Sequence, residues 1–333
     1  MRKFGLTLAK VACFGAAMAM TTMAARAADV TLKLAHVAPP TSSFQTAAER
    51  FNKHLGELSG GKMAVDIVPG GALGSLPELW AQVRAGTLDM HLIDIGAVLA
   101  IKEARHFFII FAPYLFRDQA HWRAFVDSDT FAGMMGQAEE KIGFKFVGYV
   151  GDRSPRALST KGKAVRTPAD LKGMKIRTPL VPAITKTFEA WGANPTPIKA
   201  SELYTALQTG LVDGQDNGII DVVAAGYTEV QDYFSTIDYL HSGMGLWISG
   251  AKWASLTAEQ QGWVTAAGKA ADAEALAAYD QELADAFAAA KAKGVEIVEA
   301  DREAFRAASR PVVDGLDGKA WPEGLYDKIN MMK

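Results

Sequence analysis

The sequence predicts an α/β protein of two similar lobes joined by one long helix. Three observations carry that expectation. Strand and helix patterns alternate through the first hundred residues. A twelve-residue pattern recurs 124 residues downstream. A Pro-free, Ala-rich run over residues 257–293 is longer than a single domain of this size needs.

The elements follow in order. Thr31 to Leu34 reads as a strand, and Thr41 to Leu58 as a helix with Phe44, Ala47, Ala48, Phe51 and Leu55 at helical spacing. Gly60-Gly61 breaks it, Met63 to Val68 is a strand, and Pro69-Gly70-Gly71 is a turn. A second helix ends at Ala85, closed by Gly86, before a short strand from Met90 to Ile93. Such an order implies parallel pairing. Phe144 to Tyr149 and Met174 to Thr178 are further strands, the latter with Lys175 and Arg177 on one face. A helix spans Pro182 to Trp191 and is closed by Gly192, and Ser201 is expected to cap another that runs to Thr209. Residues 78–89 and 202–213 both read E-L-[WY]-x-x-[VL]-x-x-G-x-[LV]-D, as two lobes of one plan would produce. Thr257 and Gln260 fit a capping box, and the helix they open would reach Lys293, about 55 Å.

The first 27 residues stand apart. A basic start at Arg2 and Lys3, an apolar stretch from Val11 to Met20 and Ala25-Arg26-Ala27 together read as an export signal cleaved after Ala27. The apolar stretch is too short to span a bilayer. Of the 35 basic residues, four lie in this segment, which leaves 31 against 37 acids. The chain's one cysteine, Cys13, also lies there, so no disulfide framework or multi-cysteine zinc site is available. The near-zero net charge of the whole chain, −2, argues against a nucleic-acid partner.

Catalytic signatures are missing. There is no G-x-S-x-G elbow and no H-E-x-x-H, and the six histidines never fall at i, i+4 spacing. Gly56 to Met63 approaches a P-loop, but Met63 stands where Ser or Thr would bind magnesium. No cofactor and no metal are expected. Arg177 is the feature with a chemical reading. It lies near the C-terminal end of a strand, where open α/β sheets bind ligands, and a guanidinium there matches a carboxylate. A surface arginine on an edge strand is the alternative.

The run from Arg166 to Pro179, R-T-P-A-D-L-K-G-M-K-I-R-T-P, resembles the signature of solute-binding proteins of tripartite ATP-independent periplasmic (TRAP) transporters, the DctP family. Pro69 to Gly74, Pro113 to Asp118 and Ala206 to Asn217 resemble three more of its motifs, in the same order. The resemblance implies a two-lobed periplasmic binding protein fold, with a ligand cleft between the lobes and the long helix spanning both. It implies capture of a small organic acid and delivery to the small and large membrane permease components. The expected division is residues 28–152 with about 243–275 as lobe I, and 153–242 with about 276–333 as lobe II. The protein is expected to be a periplasmic monomer with no enzymatic activity. An ABC-type binding protein and a periplasmic enzyme on the same scaffold are the rival readings.

By the same resemblance Arg177 pairs with the ligand carboxylate, Arg156 assists it (with Arg153 as the alternative), and Asn217 matches an asparagine of the family's D-G-Q-E-N run. Asp216 stands for its glutamate. Ala97 and Ala200 occupy positions where sialic-acid binders resemble arginine and phenylalanine, which points to a different ligand. Asp216-Asn217 replaces the Glu-Trp pair of the sodium-using subgroup. Four further ligand candidates are Phe44 as a stacking ring or core residue, Trp247 as a lid or core residue, and Asp94 and His241, each of which could be a solvated loop residue. A buried Asp94 would accept hydroxyl hydrogen bonds and repel a second carboxylate, favouring a keto or hydroxy monocarboxylate.

Overall fold

The chain forms two sheets, and the path between them positions everything that follows. The computed structural model describes residues 28–100 and 102–332. The export-signal reading on residues 1–27 lies outside the described residues.

The first sheet starts with β1 (Val30–Ala35), α1 (Ser43–Leu58), β2 (Met63–Val68), α2 (Leu76–Ala85) and β3 (Met90–Asp94). Two 3-10 segments, α3 (Gln119–Val126) and α4 (Asp129–Ile142) lead to β4 (Phe144–Asp152). The chain then crosses to the second sheet as β5 (Arg156–Thr160), followed by β6 (Lys175–Thr178), α5 (Pro182–Ala190) and β7 (Asn194–Pro197). Next come α6 (Leu203–Gln208), β8 (Gly214–Asn217), α7 (Ile219–Ala224) and β9 (Tyr233–Leu240). It crosses back as β10 (Gly243–Ser249) and continues through α8 (Gly250–Ser255) into α9 (Ala258–Ala292). The remainder, β11 (Glu296–Val298), α10 (Arg302–Leu316) and α11 (Leu325–Asn330), packs on the second lobe and the 3-10 region.

Strand order is β2-β1-β3-β10-β4 in one sheet and β7-β6-β8-β5-β9-β11 in the other. The first three strands of each are parallel, and the fourth, antiparallel, is supplied across the junction: β10 beside β3, β5 beside β8. The lobes therefore share one plan and exchange a strand. The sequence echo occupies equivalent places. Gly86 and Gly210 both end their helices with positive φ, +74° and +70°. Asp89 then accepts a hydrogen bond from the Lys33 N–H at 2.9 Å, and Asp213 accepts one from the Lys175 N–H at 2.7 Å. The copies differ at the aromatic: Trp80 is buried, whereas Tyr204 is half-buried.

The long helix is continuous. α9 opens on the Thr257–Gln260 capping box and runs 35 residues, about 52 Å. Val264, Ala267 and Ala271 pack into the α1 face of the first lobe, and Ala286 and Ala290 into the core of the second. Small residues let α9 approach the crossing closely. Gly151, at φ +135°, precedes that crossing, and a Cβ there would lie 3.0 Å from the Ala275 Cβ. One expectation is corrected: Ser201 does not cap α6. It lies within a 3-10 turn, Ala200–Glu202, that runs directly into the helix, so no extended cap residue breaks the path.

His91, on β3, is fully buried and hydrogen-bonds the Ala35 carbonyl at 2.9 Å through Nδ1. Burial pushes its pKa down to about 4. The unfolded chain takes up this proton near pH 6.5 and the folded chain near 4. The contribution is therefore complete above pH 6.5 and is lost as pH falls through that window, by about 3 kcal/mol. Urea unfolding at pH 7 and 4.5 should show this loss, and His91→Gln should make the profile flatter by one proton. An unchanged slope in the variant would refute the assignment.

Candidate functional site

A cavity of about 340 Å³ lies between the lobes, at the C-terminal ends of β1, β3, β6 and β8. That is where open α/β sheets gather ligands. Its walls are largely apolar, including Ile93, Ala97, Phe111, Val181, Ile184 and Ile198. Three guanidinium groups reach it, from Arg153, Arg156 and Arg177, each less than a tenth exposed.

Their surroundings differ. Arg156, the first residue of β5, places Nε 2.9 Å from Asp216 Oδ2 and Nη2 2.6 Å from the Asp216 carbonyl. The Tyr239 hydroxyl donates to the same Asp216 oxygen at 2.5 Å. Arg153, in the crossing between β4 and β5, donates to Asp94 Oδ2 at 3.0 Å, Asp221 Oδ2 at 2.7 Å and Asn217 Oδ1 at 3.2 Å. Its guanidinium lies over the Phe44 ring, 5.2 Å from the centroid.

Among the described residues, Arg177 is held by a carbonyl alone. Nε and Nη2 both donate to the Ile198 oxygen, at 2.9 and 2.7 Å. Among the described residues no carboxylate lies within ion-pair distance of it. Burial pushes its pKa down to about 10; Asp216 opposes that shift, and the neighbouring Arg156 and Arg153 charges add to it. At neutral pH it stays charged, a desolvated cation presented to the cleft. Burial pushes the Asp221 carboxyl up, but the Arg153 charge and hydrogen bonds from Arg153 and Ser43 more than reverse that, so it stays below its ordinary value.

Five of the seven residues singled out from sequence line the cavity: Arg177, Arg156, Asn217, Asp94 and Phe44. Arg153 does too, so the choice between it and Arg156 becomes a distinction of partners. Trp247 is corrected. It is fully buried in the first lobe, edge-on to Trp80 at 5.7 Å and tilted against Phe146 at 4.8 Å. Its strand, β10, lies between β3 and β4, so its side chain packs in the core and cannot act as a lid. His241 is corrected as well. It sits buried at the return crossing, outside the cavity lining, with a pKa pushed down to about 4 by burial. The sequence reading missed Tyr227 and Asp221, which line the cavity from the segments after β8. No local pattern marks them, because their place depends on how the lobes meet. Among the described residues no group of three or more His, Cys, Asp or Glu could hold a metal ion.

The model of the bacterial extracellular solute-binding proteins, family 7 (DctP), matches residues 34–318. A solute-binding protein of Roseobacter denitrificans is 32% identical over 314 residues, 92% of each chain. A crystal structure from that species, a TRAP periplasmic solute-binding protein with bound L-galactonate, superposes with a TM-score of 0.79 at 30% identity, covering 86% of this chain and 94% of that one. The 2,3-diketo-L-gulonate-binding periplasmic protein of Escherichia coli is 32% identical over 313 residues, covering 93% of this chain and 92% of its own. A TRAP periplasmic solute-binding protein from Bordetella, solved with density assigned to pantoate, gives a TM-score of 0.84 at 30% identity, covering 91% of this chain and 99% of that one.

Separating Arg156 from Asp216 would strand a buried charge. Asp216→Asn should therefore destabilise the ligand-free protein by about 3–5 kcal/mol in denaturant unfolding. A loss below about 1 kcal/mol would mean that the pair is not what holds Arg156.

Proposed function

The chain belongs to the DctP family of TRAP solute-binding proteins, and from that membership we propose that it captures a sugar acid, a polyhydroxy or keto monocarboxylate, on Arg177. The observation that carries this reading is the unshared Arg177 guanidinium. A buried cation without a counter-charge is costly, and a carboxylate offered in its plane supplies the missing partner through two parallel hydrogen bonds. Arg156 and Arg153 already have protein carboxylates, so they orient and steady the site while Arg177 discriminates.

Selectivity follows from the rest of the lining. Asp94 and Asp221 present negative charge on the cleft wall, which opposes a second ligand carboxylate. Asn217, Ser75, Ser201 and Tyr227 offer neutral polar groups for hydroxyls. Relatives with L-galactonate and 2,3-diketo-L-gulonate in their names support this class. In this reading the acid is held unchanged, the lobes close over it and exclude water, and the closed form delivers it to the small and large TRAP membrane subunits. The working protein is then a periplasmic monomer cleaved after Ala27. Residues 28–152 and about 243–275 form one lobe, and 153–242 and about 276–333 the other.

Calorimetry with L-galactonate and D-glucuronate tests the ligand class. Whichever acid binds, Arg177→Ala should cost about 3–5 kcal/mol of affinity, and Arg177→Lys should recover only part of it. The same Ala variant, free of ligand, should unfold at an unchanged or higher temperature, since it removes an unpaired buried charge. Thermal shifts from neutral sugars, with every monocarboxylate silent, would overturn the carboxylate reading.

A further inference from the structure

We propose that Asp221 is an interlobe latch, a positioning residue that favours the closed cleft by capping helix α1 from the opposite lobe. α1 lies against the first sheet and begins at Ser43. Its cap residue, Ser42, does not serve it: the Ser42 side chain donates to the Pro39 carbonyl at 2.6 Å and accepts nothing from the helix. The first N–H groups of a helix need acceptors from elsewhere. Asp221, on α7 of the second lobe, supplies one. Its Oδ1 accepts from the Ser43 hydroxyl at 2.7 Å and from the Ser43 N–H at 3.4 Å. A carboxylate at that end of a sixteen-residue helix also meets a favourable dipole.

The second oxygen of Asp221 ties the latch to both crossings. Oδ2 accepts from Arg153 Nη2 at 2.7 Å. Arg153 Nη1 donates to Asp94 Oδ2, which also accepts from the Ser242 hydroxyl at 2.7 Å. The Arg153 N–H in turn donates to the Ser242 carbonyl at 3.0 Å, joining the two crossing segments. The circuit therefore runs from α1 through α7, the outward crossing and β3 to the return crossing. Every member except Ser43 is less than a tenth exposed. Separating α1 from α7 breaks the Ser43–Asp221 contact, while Arg153 can keep Asp94. The latch biases closure without contacting the ligand carboxylate, so its removal should lower affinity for monocarboxylates by one common factor, the lost closed fraction.

Interlobe distances test this. Spin labels at Lys141→Cys and Lys186→Cys, exposed positions on α4 and α5, report the separation by pulsed electron resonance. The parent, Ser43→Ala and Asp221→Ala are compared free of ligand and with saturating D-glucuronate. Asp221→Ala should reduce the short-distance fraction about tenfold and Ser43→Ala by less, with far-UV circular dichroism unchanged. Distributions that superimpose on the parent in both conditions would overturn the latch. So would a variant that loses its short-distance fraction only by unfolding, with Ser43→Ala silent. The ligand-free comparison does not rest on the proposed ligand class: glucuronate leaving the parent's distances unmoved would count against that class alone.

Discussion

Three guanidinium groups share one desolvated cleft, and the site depends on how their charges are met. A buried cation needs a counter-charge or strong acceptors, and like charges nearby raise that need. Asp216 meets Arg156, Asp94 and Asp221 meet Arg153, and among the described residues Arg177 has the Ile198 carbonyl alone. The protein thus holds one arginine in register, uses the second to connect lobes, and leaves the third without a carboxylate partner among the described residues. In the proposed reading, a chain with more acids than bases attracts an acid because the attraction is local, in a place where water does not screen it.

That cleft exists because the chain crosses between sheets twice and each lobe completes the other. β10 and β5 are the exchanged strands, and they bring the C-terminal ends of β3 and β8 to face each other. Arg153 and Ser242 lie in the two crossing segments and are hydrogen-bonded to one another, and through Arg153 the junction reaches the cavity wall. α9 packs small side chains against both lobes beside this junction.

Much of this was legible in the linear sequence. Helical spacing placed Phe44, Phe51 and Leu55 on the buried face of α1, and the Thr257–Gln260 box marked the start of the long helix. Glycines after α2 and α6 marked their ends, because positive φ is inexpensive only there. Ser201 misled, since a hydroxyl residue before a helix looks alike whether it caps the helix or belongs to a 3-10 turn leading into it. Trp247 stood open between a lid and a core residue, and the structure makes it core: the glycines of its strand make room for the packed rings.

Local sequence by itself determined the alternation of elements, the repeated plan and the place of Arg177 at a strand end, because periodicity, caps and turn glycines act over a few residues. The family motifs then named the class. Only the tertiary structure decided which arginine remained unpaired, that Arg153 spans the lobes and that Asp221 reaches α1. Those facts depend on contacts between residues 59 to 178 positions apart. No short-range pattern records them, since electrostatic pairing depends on distance in space and burial, and both arise only when the sheets come together.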